Sequence, residues 1–239
     1  MASGLNSEAS ELINFQISSR KPIEKDREAV IAPEADVDLS RFISRLREQL
    51  FQTATRLRLA LGEHNRVVAV TQVATEDRSD LLSLELSLAL VLLQNKPVLL
   101  VDGDLEHPGL HRLLDANPSP GFSEYIQTGH GPENFLSDRK HRNFAFLPAG
   151  DVPPMPVSIL SSGESEQAFK ALRRTFRYVV VNTGSIRDSS TAMSLVAETD
   201  GALLALARRK HRRKEVLEAK NDVESLNTSF FGVVLTEEI

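Results

Sequence analysis

Six short apolar runs constrain this chain more than any other feature. They read VVAVT (67–71), PVLLVDGD (97–104), NFAFLPAG (143–150), YVVVNTG (178–184), GALLALA (201–207) and FFGVVL (230–235). None alternates apolar with polar residues, as a half-solvated strand would. Continuous apolar runs separated by helical segments predict strands buried on both faces. The fold class that follows is α/β: a doubly wound, mostly parallel sheet flanked by helices. In such sheets crossovers are right-handed, and ligands sit beyond the carboxyl ends of the strands.

Between the runs the apolar spacing becomes helical. SDLLSLELSLALVLLQ (79–94) predicts a buried helix; its apolar part, 81–93, carries Glu85 and is shorter than the ~20 residues a membrane span needs. PGLHRLLD (108–115) predicts a short helix with Pro108 at its first position, where proline costs least. GFSEYIQTG (121–129), SEQAFKALRRTF (165–176) and KEVLEAKNDVESL (214–226) are further helical segments. Ahead of the first strand, LSRFISRLREQLFQTATRLRLAL (39–61) predicts one amphipathic helix with Asp38 or Ser40 near its start. Residues 1–38 are polar, mixed in charge and weakly periodic. They read as a flexible or loosely docked arm, 1–38, ahead of an α/β domain, 39–239.

Composition excludes several function classes. The chain has no cysteine, so disulfides and thiolate zinc sites are out, which fits a reducing cytosol. Lys+Arg at 28 against Asp+Glu at 33 gives a net charge of -5, which argues against a general nucleic-acid binder. The first residues, MASGLNSEAS, are too polar for a signal peptide. One segment departs from the acidic balance: RRKHRRK (208–214). Cations in the first turn of a helix oppose its dipole, so helix stability does not account for them. Arg208, Arg209, Lys210, Arg212, Arg213 and Lys214 are therefore a candidate interaction surface for an anionic partner: membrane, acidic protein segment or nucleic acid. The plainer alternative is a solvated loop and first helical turn. No aromatic residue is interleaved, which argues against stacking on single strands.

The segment VVAVTQVATEDRSDLL (67–82) has the layout of a phosphate cradle: strand, polar turn, apolar helix. Its turn holds neither glycine nor lysine. Two other strand ends are more specific. LLVDGDLEHPGLHRLL (99–114) resembles a second Walker motif, hydrophobic-Asp-x-Asp followed by x-x-Pro-x-Leu-His. NFAFLPAGDVPPMPVSILSS (143–162) resembles a loop of the form Leu-Pro-Ala-Gly…Pro-Pro-Asn-Pro…Leu-Leu-Ser-Ser. Both motifs are those of the cytoplasmic tyrosine kinases of bacterial capsule and exopolysaccharide systems (BY-kinases). These belong with the chromosome-partition and septum-placement ATPases. The resemblance covers about residues 40–239 and implies a P-loop NTPase-like three-layer sandwich. It also implies a cytoplasmic protein, held at the inner face of the membrane through a partner.

Set beside that family's Pro-Gly-Glu-Gly-Lys-Ser-Thr loop, this chain reads Thr75 to Leu81. Glu76 and Arg78 stand where the glycines would be, Ser79 replaces the phosphate-binding lysine, and Asp80 replaces the magnesium-binding hydroxyl. Glycines let backbone N–H groups wrap phosphates, and the lysine adds a cation. Here three acids, Glu76, Asp77 and Asp80, stand in or near the cradle with one compensating Arg78, which must turn inward to help. A like-charge contact at ~4 Å costs about 4 kcal/mol at an effective dielectric near 20, so a few outweigh the ~8 kcal/mol of a micromolar ligand. The Walker B strand, Asp-Thr-Pro-Pro in the family, reads Asn182, Thr183, Gly184, Ser185, and a neutral amide anchors the magnesium shell poorly. The last strand ends Leu235-Thr236 where the family has Leu-Asn. Asp102 and Asp104 survive. In active members they assist metal binding and phosphoryl transfer; here closing the strand and capping the next helix is the simpler role, with a cation shared by Asp80, Asp102 and Asp104 as the alternative.

The family's tyrosine-rich tail has no counterpart, since only Tyr125 and Tyr178 are present, both read as packed. The Glu-x-x-Arg-x-x-Arg ring-assembly segment is represented by Arg41, Ser44 and Arg47, without its glutamate. His107 and His111 have metal-ligand spacing, but Pro108 and Gly109 between them favour surface and capping roles. The resemblance thus implies a catalytically degenerate, kinase-like binding or regulatory subunit in exopolysaccharide biosynthesis and export, with no catalytic residue and no metal. No cofactor is expected, and ATP and magnesium should bind weakly or not at all. The implied partner is the cytoplasmic end of a polysaccharide co-polymerase or an active kinase paralogue. Homo-oligomers stay open, membrane contact is peripheral at most, and nucleic acid is not expected. Two alternatives stand: a weakly active kinase or ATPase using Arg78, Asp102 and Asp104, and a partition-ATPase-like scaffold binding DNA or membrane through 208–214.

Overall fold

The computed structural model describes residues 39–43, 46, 48–62, 64, 66–74, 77–137, 143–160 and 163–236. The proposed arm, 1–38, lies outside them, as do Thr75 and Glu76. Helices α1 (Ser40–Ile43) and α2 (Glu48–Leu61) lead into β1 (Arg66–Gln72), α3 (Ser79–Gln94) and β2 (Val98–Asp102). Two short helices, α4 (Leu110–Leu114) and α5 (Phe122–Thr128), precede β3 (Phe144–Leu147). Helices α6 (Val157–Leu160) and α7 (Gly163–Thr175) lead to β4 (Tyr178–Ser185), and α8 (Ser190–Ala197) to β5 (Gly201–Ala207). The chain continues through α9 (Arg213–Ser225) and β6 (Ser229–Thr236).

The six strands form one sheet in the order β3-β2-β4-β1-β5-β6, with every neighbouring pair parallel. The continuous apolar runs are explained by burial on both faces. In β2, Val98 and Leu100 face the core under α2, α3 and α4, while Leu99 and Val101 face the core under α5 and α7. A third cluster joins Ala202 and Leu204 of β5 to Ala219 and Val223 of α9. Helix α3 is buried around most of its circumference, with Leu82, Leu84, Leu86, Leu88 and Leu90 all enclosed. Its buried Ser83 and Ser87 hydroxyls donate to the carbonyls of Ser79 and Ser83 at 2.6 and 2.7 Å, so no polar group is left unsatisfied there. Among the described residues no helix is long and apolar enough to cross a membrane.

Three local readings differ from the sequence expectation. The segment 39–61 forms two helices, not one. A continuous helix of that length would run about 34 Å, against about 24 Å for α3 on which it packs. The break folds Leu39 and Phe42 back onto the same core as Leu50, Leu57 and Leu61. Pro108 precedes the helix rather than opening it; α4 begins at Leu110 because Asp102 binds the N–H groups of Gly109 and Leu110. Helix α8 has no counterpart among the segments read from sequence. It is only eight residues long, rich in small residues, and started by Ser189, whose hydroxyl accepts the Ala192 N–H at 3.0 Å.

Candidate functional site: the ends of β1, β2 and β4

Strand register decides which side chains meet. β4 lies between β1 and β2, with Asn182 opposite Val70 on one side and Asp102 on the other. The register then slips, so Thr71 faces Gly184, and the Thr71 hydroxyl donates to the Gly184 carbonyl at 2.8 Å. The turn after β1 is thereby held over the ends of β4 and β5.

That turn is closed around Asp77. The Asp77 side chain is fully buried. Its Oδ2 accepts the N–H groups of Val73 at 3.1 Å and Ala74 at 2.8 Å. Its Oδ1 lies 2.7 Å from the Ala207 N–H at the end of β5 and 2.7 Å from His211 Nε2. The Asp77 carbonyl accepts the Thr236 hydroxyl at 2.9 Å. A phosphate cradle offers loop N–H groups to an external anion. Here an internal carboxylate takes the N–H groups of Val73 and Ala74.

The flanking positions follow the same pattern. Ser79 opens α3, and its N–H, one of the helix's free donors, is taken by Gln72 Oε1 at 3.0 Å. Its hydroxyl donates to Asn182 Oδ1 at 2.7 Å. The residues that the sequence comparison set at the lysine and Walker B positions are therefore joined to each other as a buried neutral pair. Arg78 has φ 59° and ψ 47°, left-handed values that glycine adopts without cost. The loop thus keeps backbone geometry suited to a glycine while carrying an arginine. Arg78 does not turn inward as its compensating role required; it pairs with Asp80 at 3.5 Å, both partly exposed.

Asp102 and Asp104 behave differently. Asp102 Oδ2 accepts the N–H groups of Gly109 at 3.1 Å and Leu110 at 3.0 Å, while its Oδ1 is buried with no hydrogen-bond partner. Burial raises its pKa from 3.8 to about 7, with Asp104 adding to the rise and the Leu110 and Gly109 N–H groups and the Asn182 side chain opposing it. Asp104 Oδ1 accepts the His107 N–H at 3.0 Å, and burial raises its pKa too. Gly184, at φ 73°, makes room for it: a Cβ there would stand 2.6 Å from Asp104 Oδ2. Among the described residues no three His, Asp or Glu side chains gather as a metal would require.

The basic loop joins this site through one residue. Arg208, Arg209, Lys210, Arg212, Arg213 and Lys214 are exposed, but His211 among them turns inward onto Asp77 and keeps only 9% side-chain exposure. Sequence reading placed Asp77 among repelling acids and passed over His211. The one available signal was a lone histidine inside a run of permanent cations. Tyr125 is buried, and its hydroxyl donates to the Ala168 carbonyl at 2.9 Å; burial pushes its pKa up to about 12. Tyr178 is buried at the start of β4. His107 lies on the surface, and burial lowers the pKa of His111. Two clefts lie elsewhere: about 200 Å³ between α2 and β6, and about 430 Å³ between α5 and α7.

A wholly parallel sheet with a strand–turn–helix at its centre and acids at the next strand end defines a P-loop NTPase-like fold. Its neighbours among solved structures agree. The kinase domain of the Escherichia coli tyrosine kinase ETK superposes with a TM-score of 0.70 at 22% identity, covering 77% of this chain and 72% of that one. The septum site-determining protein MinD from Pyrococcus horikoshii, complexed with Mg-ADP, gives 0.61 at 17% identity, covering 72% of this chain and 70% of that one. By sequence the chain is homologous to bacterial tyrosine-protein kinases. It is 24% identical over 197 residues to CpsD of Streptococcus pneumoniae, covering 82% of this chain and 86% of the relative. It is 23% identical over 177 residues to CpsD of Streptococcus agalactiae, covering 74% and 77%. No family model matches the chain.

Proposed function

We propose that this chain is a catalytically degenerate relative of the bacterial tyrosine kinases. On this reading it serves as a binding or regulatory subunit in exopolysaccharide biosynthesis and export. The observation that carries the proposal is the buried Asp77 carboxylate, which takes loop N–H groups that a phosphate would need. An incoming nucleotide would have to displace an anion held by four donors, without the lysine that compensates phosphate charge. Ser79 and Asn182 support the reading, because the Ser79 hydroxyl is committed to Asn182 Oδ1 and not free for a magnesium shell. Neither tyrosine offers an accessible acceptor for phosphate. The partner that suits a kinase-like domain without activity is an active kinase paralogue or the cytoplasmic end of a polysaccharide co-polymerase.

The test is an assay of the purified chain with Mg–ATP, read by phosphate release and by phosphotyrosine immunoblot, followed by titration against a purified active kinase paralogue. The expected result is no turnover, no phosphotyrosine on this chain, and saturable binding to the kinase. Turnover abolished by Asp104→Ala would replace this reading with that of a residual enzyme.

A further inference from the structure

The loop 208–214 and its surroundings form a surface whose chemistry exceeds a row of cations. Its backbone is fixed at both ends. The Arg208 N–H donates to the Thr236 carbonyl at 3.2 Å, and the Arg212 N–H to Glu215 Oε2 at 2.7 Å. His211 anchors the middle on buried Asp77. The cations on either side of His211 are therefore presented outward from a fixed backbone. Among the described residues, Glu215 caps Arg212, and Glu218 lies 2.9 Å from Arg187 and 3.6 Å from Lys214. Six cations fall within residues 208–214 of a chain of net charge -5.

Exposed apolar side chains flank it. Of the seven large apolar residues exposed among the described residues, three lie at this corner: Leu217 at 46%, Val233 at 41% and Leu235 at 60%. Leu217 is one turn after Arg213 on the outer side of α9. Leu235 pairs in register with Leu206, and Thr236 with Ala207, immediately before Arg208. Leu206 packs against the cluster beneath α9, so Leu235 and Val233, in the same register phase, lie on the α9 side of the sheet edge.

We propose that this corner is a docking surface for an anionic lipid bilayer, with the cations meeting headgroups and Leu217, Val233 and Leu235 entering the interfacial region. Exposed leucines beside fixed cations are what separates this reading from a general polyanion site. Phosphate contacts to nucleic acid, or carboxylate contacts to an acidic peptide, would use the cations and leave the leucines idle. Electrostatic attraction and buried apolar area add for interfacial binding, and each cation near an anionic surface strengthens it about fivefold. The inference stands independently of whether nucleotide binds.

The experiment is flotation of the full chain with vesicles of phosphatidylcholine containing about a third phosphatidylglycerol, and with phosphatidylcholine alone. Three proteins are compared: unmodified, the triple variant Arg209→Gln, Arg212→Gln, Arg213→Gln, and the double variant Leu217→Ser, Leu235→Ser. All substituted side chains are exposed, and circular dichroism checks folding. The expected result is binding to the anionic vesicles only, weakened about a hundredfold by the charge variant and at least threefold by the leucine variant. No binding to anionic vesicles overturns the proposal, and so does a leucine variant that binds unchanged. Tighter binding to duplex DNA or to polyglutamate than to vesicles also overturns it and assigns the corner to that class of partner.

Discussion

Two buried aspartates, at or beyond the ends of the strands that flank β4, are held in contrasting ways. Asp77, after β1, places each carboxylate oxygen against two donors drawn from its own turn, β5 and the basic loop. Asp102, at the end of β2, is equally buried but has backbone donors on one oxygen only, and desolvation raises its pKa to about 7 despite the Asn182 side chain. Equal burial thus comes with unequal numbers of fixed donors. In the turn after β1 an acid serves as the internal anchor. The end of β2 carries two acids, Asp102 and Asp104, with fewer fixed donors.

The comparison breaks most readily at Asp77. Replacing it with alanine leaves three backbone N–H groups and His211 without their acceptor. The expected cost is about 3–5 kcal/mol, measured by urea denaturation. Asp77→Asn keeps one acceptor oxygen and should cost less. A loss below about 1 kcal/mol for the alanine variant would mean that the anchor is ornamental.

Asp102 gives the next largest effect, and it depends on pH. Its folded pKa lies above the unfolded 3.8, so its contribution to stability is fully present below pH 3.8 and is lost as pH rises toward about 7. The loss over that window is up to about 4 kcal/mol from a shift of three pKa units. Asp102→Asn, which has no proton to lose, should flatten this part of the stability–pH curve and gain on the unmodified protein at pH 8. Asp104 shifts the same way, so some slope remains in the variant. An unchanged slope in Asp102→Asn would assign the titration elsewhere.

Smaller effects sharpen the view of the turn. Ser79→Ala removes the buried hydroxyl that donates to Asn182 and should cost about 1–2 kcal/mol. At Arg78, glycine relieves the left-handed strain but gives up chain stiffness and a partly exposed pair with Asp80. Arg78→Gly should therefore change stability by less than about 0.5 kcal/mol, whereas β-branched Arg78→Val should cost about 1–2 kcal/mol.

The sheet was legible because its strands are buried on both faces, which writes them as unbroken apolar runs. GALLALA became β5 at residues 201–207, and 79–94 became α3, at the boundaries expected from pattern alone. The strand–turn–helix layout at 67–94 was legible as well, because it is local. How the turn is held was not legible. Asp77 meets Ala207 and His211, 130 and 134 residues away, and no local spacing encodes such a meeting. Sequence reading counted Asp77 as a repelling charge because the donors that neutralise its cost come from β5 and the loop after it. The same gap hid the link between the altered turn and the basic loop: the acid that fills the cradle also anchors the cations.

The central claim is that the loop's own carboxylate holds the place of the phosphate. Its most direct test is an isothermal titration of the unmodified chain with Mg–ATP at low ionic strength. The account predicts no saturable heat up to millimolar nucleotide. A Kd in the micromolar range would contradict it, because roughly 8 kcal/mol of binding would then have overcome a buried, fully donated anion at the same loop.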